Sequence, residues 1–289
     1  MELERDFLPP GPYRLPGAGR DGLLRRTDGV LRRLLHAGDD PVVVNAWEAG
    51  GAVRVRAEAS GRDACEYGVE RMHFALGLDH DLSEFHAAFK RDRLIGPVIR
   101  RRPWLRPRRR PEPFEALAWA ICEQLIDGDR AVAIQRRLIH RFGRRSNCGL
   151  RDAPTPSRLA GRSPAEIESC GLVAKRAIAL RRAAHEVASG RADLHGDAEH
   201  AWRRLRAIPN IGSWTIDSLA LHGHGRDDML PALDLAYIKL VGRLAGLGRR
   251  ATEDEVRAFF APYEPFAALA GTYAVTGALL GIQLKTWRT

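Results

Sequence analysis

The hydrophobic pattern changes its period along the chain, and this change limits the fold more than any other feature. Before residue 60 the pattern is typical of strands, because the run 42–47 is mostly apolar and apolar residues alternate with charged ones over 53–59. A period of two indicates a strand with one solvated face. Gly50-Gly51 stands between the two runs and predicts a tight hairpin turn. Residues 61–76 predict a helix.

From Pro113 onward the pattern is helical. Apolar residues recur at the spacing of one helix face at Phe114, Leu117, Ala118, Ile121 and Leu125. Two segments, 163–166 and 252–255, have the Ser/Thr-x-x-Glu sequence of a helix capping box. We therefore predict an α+β protein that is mainly α, with a small mixed α/β N-terminal domain followed by an all-helical core.

The segment between these two parts is rich in arginine and proline. It covers residues 101–112, and its prolines interrupt any regular element. We interpret it as a solvated linker or as an arm that contacts phosphates, and the two interpretations are compatible. The predicted domains are therefore 1–100, the linker 101–112, and the helical core 113–289.

The chain is basic. It has 289 residues with 46 Lys+Arg against 36 Asp+Glu, which gives a formal net charge of +10. This excess suits a polyanion such as nucleic acid, but only four of the basic residues are lysines, so a GC-rich codon bias explains it equally well. No apolar run could span a bilayer and the N-terminus lacks a signal-peptide pattern, so we expect a cytoplasmic protein without membrane contact.

A helix–turn–helix segment at 205–216 is the sharpest local feature. The turn contains Ile208-Pro209-Asn210-Ile211-Gly212, and Gly212 lets a ligand come close to the backbone because it has no Cβ atom. Unpaired N–H groups at the start of the second helix form a natural anion site. An ordinary helix–turn–helix corner would have the same pattern, so this segment alone leaves both interpretations open.

A lone carboxylate follows about twenty residues later. Asp234 lies among apolar residues in the run 230–238. The simplest interpretation is a helix N-cap. A carboxylate held at a helix start can also stabilise positive charge in a cleft, so the two roles are compatible.

Together these residues resemble a known family. The pattern Ile-Pro-x-Ile-Gly-x-Trp-Thr over 208–215, followed by Ala-Leu-x-Gly and the spaced Asp234, resembles the helix-hairpin-helix DNA glycosylase superfamily. Within it the chain is most similar to the 3-methyladenine DNA glycosylase II (AlkA-like) family. The resemblance implies a monofunctional enzyme that flips alkylated purines out of double-stranded DNA and hydrolyses the N-glycosidic bond, and it implies a monomer.

The resemblance also implies roles for particular residues. Asp234 would be the catalytic carboxylate that stabilises positive charge on the deoxyribose. The base pocket would be formed by Trp214, Ser218, Leu235 and Glu123. DNA contacts would come from Gln124, the wedge Leu125, Pro209, Asn210, Ile211, Gly212, Ser213 and Thr215. A monovalent cation could bind the backbone carbonyls of Arg206, Ile208 and Ile211.

Two absences in the sequence refine this expectation. Relatives that also cut the DNA strand have a lysine where this chain has Trp214, so we expect no lyase activity. No cysteine follows Cys170, so we expect no C-terminal iron–sulfur cluster, and no cofactor is required.

The base pocket departs from the family pattern. Ser218, Leu235 and Val275 stand where relatives often have aromatic residues, and Glu123 is an unexpected carboxylate. These departures leave the substrate range open, so a glycosylase for oxidised or deaminated purines remains an alternative. A non-catalytic DNA-binding protein is a second alternative, and the presence of Asp234 argues against it.

Overall fold

The N-terminal unit is an antiparallel sheet with one helix packed against it. In a computed structural model that describes residues 1–282, the strand order is β1-β5-β4-β3-β2. The two predicted strands, the hairpin and the helix are confirmed, and three further strands are added to them. The elements are β1 (Glu2–Phe7), β2 (Arg25–Thr27), β3 (Val30–Ala37), β4 (Asp40–Ala49), β5 (Ala52–Glu58) and α1 (Arg62–Leu76).

Two local features explain this unit. Gly50 and Gly51 both have positive φ, at 59° and 86°, as a two-residue hairpin turn between right-twisted strands requires. On α1, Gly68 lies so close to the sheet that a Cβ atom there would be 2.5 Å from Cγ1 of Val42. The missing side chain therefore sets the distance between α1 and β4.

The rest of the described chain is helical, which confirms the α+β, mainly α class. The helices are α2 (Ser83–Phe89), α3 (Gly96–Arg101), α4 (Pro113–Glu123), α5 (Gly128–Phe142), α6 (Pro156–Ala160), α7 (Pro164–Glu168), α8 (Ala174–Ala188), α9 (Ala198–Arg206), α10 (Ser213–Gly223), α11 (Leu235–Leu244), α12 (Glu253–Phe260) and α13 (Ala267–Leu279). Both predicted capping boxes are present, at the starts of α7 and α12. The final residues of the predicted 113–289 core, 283–289, lie outside the described range. None of the described helices is long and apolar enough to cross a membrane.

The apolar interior has three parts. One lies between the sheet and α1, and a second is formed mainly by α4, α5 and α8 to α10. The third joins α2 and α3 to α11, α12 and α13. Residues 82–99 therefore pack with the C-terminal helices rather than with the sheet. This packing differs from the prediction that residues 1–100 form one N-terminal domain. Helix α10 joins the second and third parts, because Leu219 belongs to one and Leu221 to the other.

The Arg/Pro segment 101–112 is not a solvated linker. The Arg106 guanidinium donates hydrogen bonds to the carbonyl groups of Pro10, Pro12, His80 and Trp104. Arg109 pairs with Asp79 at 3.1 Å, and its side chain is only 8% exposed. These arginines join the N-terminal unit to the helices and are not available to DNA phosphates, whereas Arg108 remains exposed.

A buried ionic network also connects the sheet to the helices. Arg33 on β3 donates to Glu115 on α4, and both side chains are almost completely buried. Arg110 lies 2.9 Å from an Asp21 carboxylate oxygen and 3.4 Å from Glu115. The Trp119 indole N–H donates to the same Asp21 oxygen at 3.1 Å. Two arginines and two carboxylates thus neutralise each other inside the protein.

Candidate active site

The hairpin has the geometry that the sequence predicts. Helix α9 ends at Arg206 and α10 begins at Ser213. In the turn between them, the Ile211 N–H donates to the Ile208 carbonyl at 3.0 Å. Asn210 has φ of 71°, which asparagine tolerates better than most residues. Asparagine can therefore hold this turn position without a glycine.

The start of α10 is open to a ligand. Gly212 is the N-cap residue and no side chain caps the helix. The first bond of the helical type runs from the Ile216 N–H to the Gly212 carbonyl at 3.3 Å, so the N–H groups of residues 213–215 have no acceptor within the described range. A Cβ atom on Gly212 would meet nothing within 4 Å. The unpaired N–H groups and the free space at Gly212 suit an anion.

A larger residue at Gly212 would not strain the turn. Its φ is −99° and its ψ is −172°, which is extended backbone that any residue adopts. A side chain at this position would therefore extend into the open space without disturbing the free protein.

Leu125 does not extend the apolar face of α4, contrary to the helical pattern. Helix α4 ends at Glu123, and Gln124 has φ of −52° and ψ of 122°, which turns the chain away from the helix. Leu125 then has φ of 53° and is 89% exposed. A solvent-exposed leucine in a left-handed conformation stores strain for no gain in packing, so this position is a functional candidate.

Gln124 connects the exposed leucine to the hairpin. Its side-chain Nε2 donates to the Asn210 carbonyl at 2.8 Å and to Oγ1 of Thr215 at 2.9 Å. Thr215 is only 1% exposed. The side chain of Thr215 is therefore not available for the predicted DNA contact. It positions Gln124 instead. The same two bonds occupy the side-chain nitrogen of Gln124, a residue that was also predicted to contact DNA.

Asp234 is the N-cap of α11, and it also remains open to solvent. Its Oδ1 accepts a hydrogen bond from the Ala236 N–H at 2.8 Å, and no described residue donates to Oδ2. The side chain is half-buried. The N-cap interpretation is therefore correct for one carboxylate oxygen, while the second oxygen is free for chemistry.

The helix that carries Asp234 is held rigidly. Gly271 on α13 lies under α11, where a Cβ atom would be 2.8 Å from Leu230 and 3.0 Å from the ring of Tyr237. Arg257 on α12 donates at 2.8 Å to Asp217, a buried carboxylate on α10. Burial raises the pKa of Asp217, and the bond from Arg257 opposes that rise. The first contact packs α11 on α13, and the second joins α12 to the hairpin helix.

Three of the predicted pocket residues differ in exposure. Trp214 is half-buried and belongs to none of the three apolar cores. Its indole N–H is buried and has no acceptor within the described residues. Ser218 lies one turn later on the same face of α10 and is 5% exposed, whereas Leu235 is 37% exposed.

Glu123 lies two residues before the exposed Leu125. It is the last residue of α4, its side chain is exposed, and its Oε1 accepts from Nε2 of the buried Gln135 at 2.8 Å. Sequence reasoning missed Gln135, because a glutamine on an apolar helix face carries no signal of its own.

Two of the three carbonyl groups predicted to hold a monovalent cation receive no hydrogen bond. The carbonyls of Arg206 and Ile211 accept no hydrogen bond from described residues, and that of Ile208 accepts one. Hard cations prefer such oxygen ligands. Elsewhere in residues 1–282, no group of three His, Cys, Asp or Glu side chains could bind a metal ion.

A separate cavity contains none of the residues expected to act in catalysis. Its volume is about 560 Å³, and it lies between the N-terminal unit and the Arg/Pro segment. Tyr13, Trp104 and several arginines line it. The candidate site residues lie instead at the end of α4, the start of α10 and the start of α11.

Comparison with known proteins agrees with this geometry. A model of the HhH-GPD superfamily of base excision DNA repair proteins matches residues 118–265, which is more than half of the chain. This range includes the exposed leucine, the hairpin and Asp234.

Two curated relatives and one solved structure are similar to the chain. A DNA-3-methyladenine glycosylase of Bacillus subtilis (strain 168) is 24% identical over 212 residues, covering 71% of this chain and 70% of that protein. DNA-3-methyladenine glycosylase 2 of Escherichia coli (strain K12) is 33% identical over 146 residues, covering 47% of this chain and 50% of that protein. The structure of 3-methyladenine DNA-glycosylase from Archaeoglobus fulgidus matches with a TM-score of 0.75 and 21% identity, covering 90% of this chain and 91% of the other.

Proposed function

The chain belongs to the HhH-GPD superfamily of base excision DNA repair proteins, and we propose that it is a monofunctional glycosylase that excises alkylated purines from double-stranded DNA. The single observation that carries this proposal is Asp234, which follows the hairpin helix in the chain, caps α11 with one oxygen and keeps the other free of hydrogen bonds from described residues. The glycosylase names of the curated relatives support the same activity.

DNA binding would use the backbone of the hairpin and the exposed leucine. The open N–H groups at residues 213–215 would hold a phosphate of the damaged strand, and this contact carries no base information. Leu125, already exposed and held by the bonds of Gln124, would fill the gap left by the flipped nucleotide. The free protein therefore needs little rearrangement to bind.

The chemistry would depend on charge. As the C1′–N9 bond breaks, positive charge develops on the deoxyribose, and the free oxygen of Asp234 would stabilise that charge and orient the attacking water. Trp214 would stack on the flipped base, which is electron-poor when it is alkylated. A base that already carries a positive charge leaves readily, so this step needs no cofactor.

The proposal is tested with duplexes that each contain one 3-methyladenine, 7-methylguanine, hypoxanthine or 8-oxoguanine. We expect the protein to create alkali-sensitive sites at the methylated purines under single-turnover conditions. Binding to all four duplexes without any alkali-sensitive site would instead support the non-catalytic alternative.

We predict that the protein has no lyase activity. A Schiff base needs an amine near C1′, and the hairpin helix has Trp214 at the position of the family's lysine. Product strands should therefore stay intact until alkali is added, and borohydride should trap no covalent complex on a gel. A trapped adduct would mean that another amine, such as Lys239 or Lys175, attacks the sugar.

We predict that Gly212→Val weakens DNA binding by a similar factor for damaged and undamaged duplexes. The new side chain would occupy the open space in front of the N–H groups, while its backbone conformation stays allowed. The matched control is Gly61→Val, because Gly61 is also an extended N-cap residue with free space around its Cβ position. A Gly212→Val protein that binds both duplexes as tightly as the Gly61→Val protein would remove the hairpin from the DNA interface.

A further inference from the structure

The cavity between the N-terminal unit and the Arg/Pro segment has a strongly positive lining. Its volume is about 560 Å³, and small-molecule sites typically have about 300–1,000 Å³. Among the described residues that line it there are eight arginines and neither an aspartate nor a glutamate. The arginines are Arg14, Arg26, Arg33, Arg102, Arg106, Arg108, Arg109 and Arg110. A cleft lined by charge of one sign concentrates ligands of the opposite sign, so this cavity is suited to an anion.

Most of these arginines have no carboxylate partner. Three of the eight pair with carboxylates that do not line the cavity, namely Arg33 with Glu115, Arg109 with Asp79 and Arg110 with Asp21. The other five form no ion pair with any residue in the range 1–282. Of these five, Arg26 and Arg106 donate only to backbone carbonyl groups. The positive charge around the cavity is therefore mostly uncompensated.

Arg33 also has an unmet hydrogen bond at this cavity. Its side chain is only 4% exposed, and its Nη2 donates to Glu115. Its Nε is buried and has no acceptor within the described part of the chain. A buried donor without an acceptor is costly and is rare in folded proteins. An oxygen atom of a bound anion is the kind of acceptor that Arg33 lacks.

The lining also has an apolar and aromatic part. Met72 of α1, which is 1% exposed, contributes to the apolar surface, and Tyr13 and Trp104 contribute aromatic rings. The Arg106 guanidinium lies 5.2 Å from the centre of the Tyr13 ring, and that of Arg14 lies 5.9 Å from the centre of the Trp104 ring. Aromatic rings and guanidinium planes both stack on nucleobases. The cavity thus combines groups for an anion with groups for a flat ring.

We propose that this cavity binds a nucleotide, with its phosphate at the unpaired arginines and its base against the aromatic side chains. A bare phosphate would need the arginines but no apolar surface, and a neutral aromatic molecule would need no positive charge. This inference goes beyond the proposed glycosylase activity, because none of the candidate site residues lines the cavity. A free nucleotide and the phosphorylated end of a nucleic acid strand have the same chemistry, so the test includes both.

The first measurement is calorimetric titration of the full chain with AMP, adenosine and ribose 5-phosphate. We expect one AMP to bind per chain. Adenosine should bind about tenfold more weakly or worse, because it lacks the charge-assisted hydrogen bonds of the phosphate. Ribose 5-phosphate should bind about fivefold more weakly or worse, because it has no base to stack. Ribose 5-phosphate binding as tightly as AMP would overturn the assignment of a nucleotide.

Arginine variants locate the phosphate. Arg26 and Arg25 are exposed neighbours on β2, and only Arg26 lines the cavity. Arg26→Glu should weaken AMP binding about tenfold or more. Arg25→Glu is the matched control with the same change of net charge, and it should change the affinity less than about threefold, because a distant exposed charge is screened. Arg102→Glu and its neighbour Arg101→Glu form a second pair of the same kind, and circular dichroism checks that all four variants fold.

Trp104→Leu tests the contact with the base. It should weaken AMP binding about fivefold or more and leave ribose 5-phosphate binding nearly unchanged, because it removes only the stacking surface. A short single-stranded deoxyadenylate with a 5′-phosphate is titrated in parallel. Binding of this strand but not of AMP, lost in Arg26→Glu and kept in Arg25→Glu, would identify a strand end as the ligand. If neither AMP nor the strand binds, or if Arg26→Glu and Arg25→Glu bind them equally, the cavity is not a nucleotide site.

Discussion

Asp234→Asn is expected to lower single-turnover base release about 10²–10³-fold while DNA affinity stays nearly unchanged. Asparagine is as good an N-cap as aspartate, so the bond to the Ala236 N–H and the start of α11 should persist. The free oxygen loses its negative charge, and a preorganised electrostatic group of this kind is typically worth that factor in rate. Single-turnover kinetics and a binding titration on the same 7-methylguanine duplex measure both effects.

The matched control is Asp197→Asn. Asp197 is the N-cap of α9, and its side chain accepts from the His200 N–H at 3.0 Å. The control keeps the same type of cap bond and should leave base release unchanged. An Asp234→Asn protein that releases bases as fast as the Asp197→Asn protein would show that Asp234 is only a helix cap.

Glu115→Ala is expected to lower the free energy of unfolding by about 3–5 kcal/mol, the usual cost of removing one partner of a buried ion pair. Glu115 is 2% exposed and faces both Arg33 and Arg110. Without Glu115, Asp21 is the only carboxylate of this network that remains to balance the two guanidinium groups. The ion pair that joins the sheet to α4 is then lost. Urea unfolding followed by circular dichroism measures the change.

A surface ion pair serves as the control for this stability effect. Glu66 pairs with Arg62 at 3.0 Å one turn apart on α1, and the two side chains are 35% and 70% exposed. Glu66→Ala should cost less than about 1 kcal/mol. If the two variants unfold at the same urea concentration, the buried network does not stabilise the contact between the sheet and the helices.

The sequence predicts the hairpin and its carboxylate well because both depend on local chemistry. A Pro-x-x-Gly turn between two amphipathic helices has few alternatives, and an aspartate before an apolar run is a typical N-cap. The positive φ of Asn210 likewise follows from the residue type. These features need no knowledge of the tertiary fold.

The exposure of Leu125 could not be predicted from the sequence. Its spacing from Ile121 fits one helix face, and neither glycine nor proline marks the end of α4. The helix nevertheless ends at Glu123, where Gln124 turns away to bind the Asn210 carbonyl and Thr215. That bond joins segments 86 residues apart, so local pattern could not reveal it.

The Arg/Pro segment illustrates a second limit. Prolines and arginines in sequence predict a solvated stretch, but the partners of Arg106 are carbonyl groups from residues 10, 12, 80 and 104. The charged strands β1 and β2 were missed for a related reason. Most of their side chains face solvent, so the stabilising backbone pairing leaves little hydrophobic pattern.

The most direct test of the central claim is to identify the product released from methylated DNA. Duplex DNA treated with a methylating agent is incubated with the protein, and the soluble fraction is analysed by mass spectrometry. Free 3-methyladenine and 7-methylguanine should appear with the unmodified protein and be nearly absent with Asp234→Asn. The absence of any free base with the unmodified, DNA-bound protein would contradict the account.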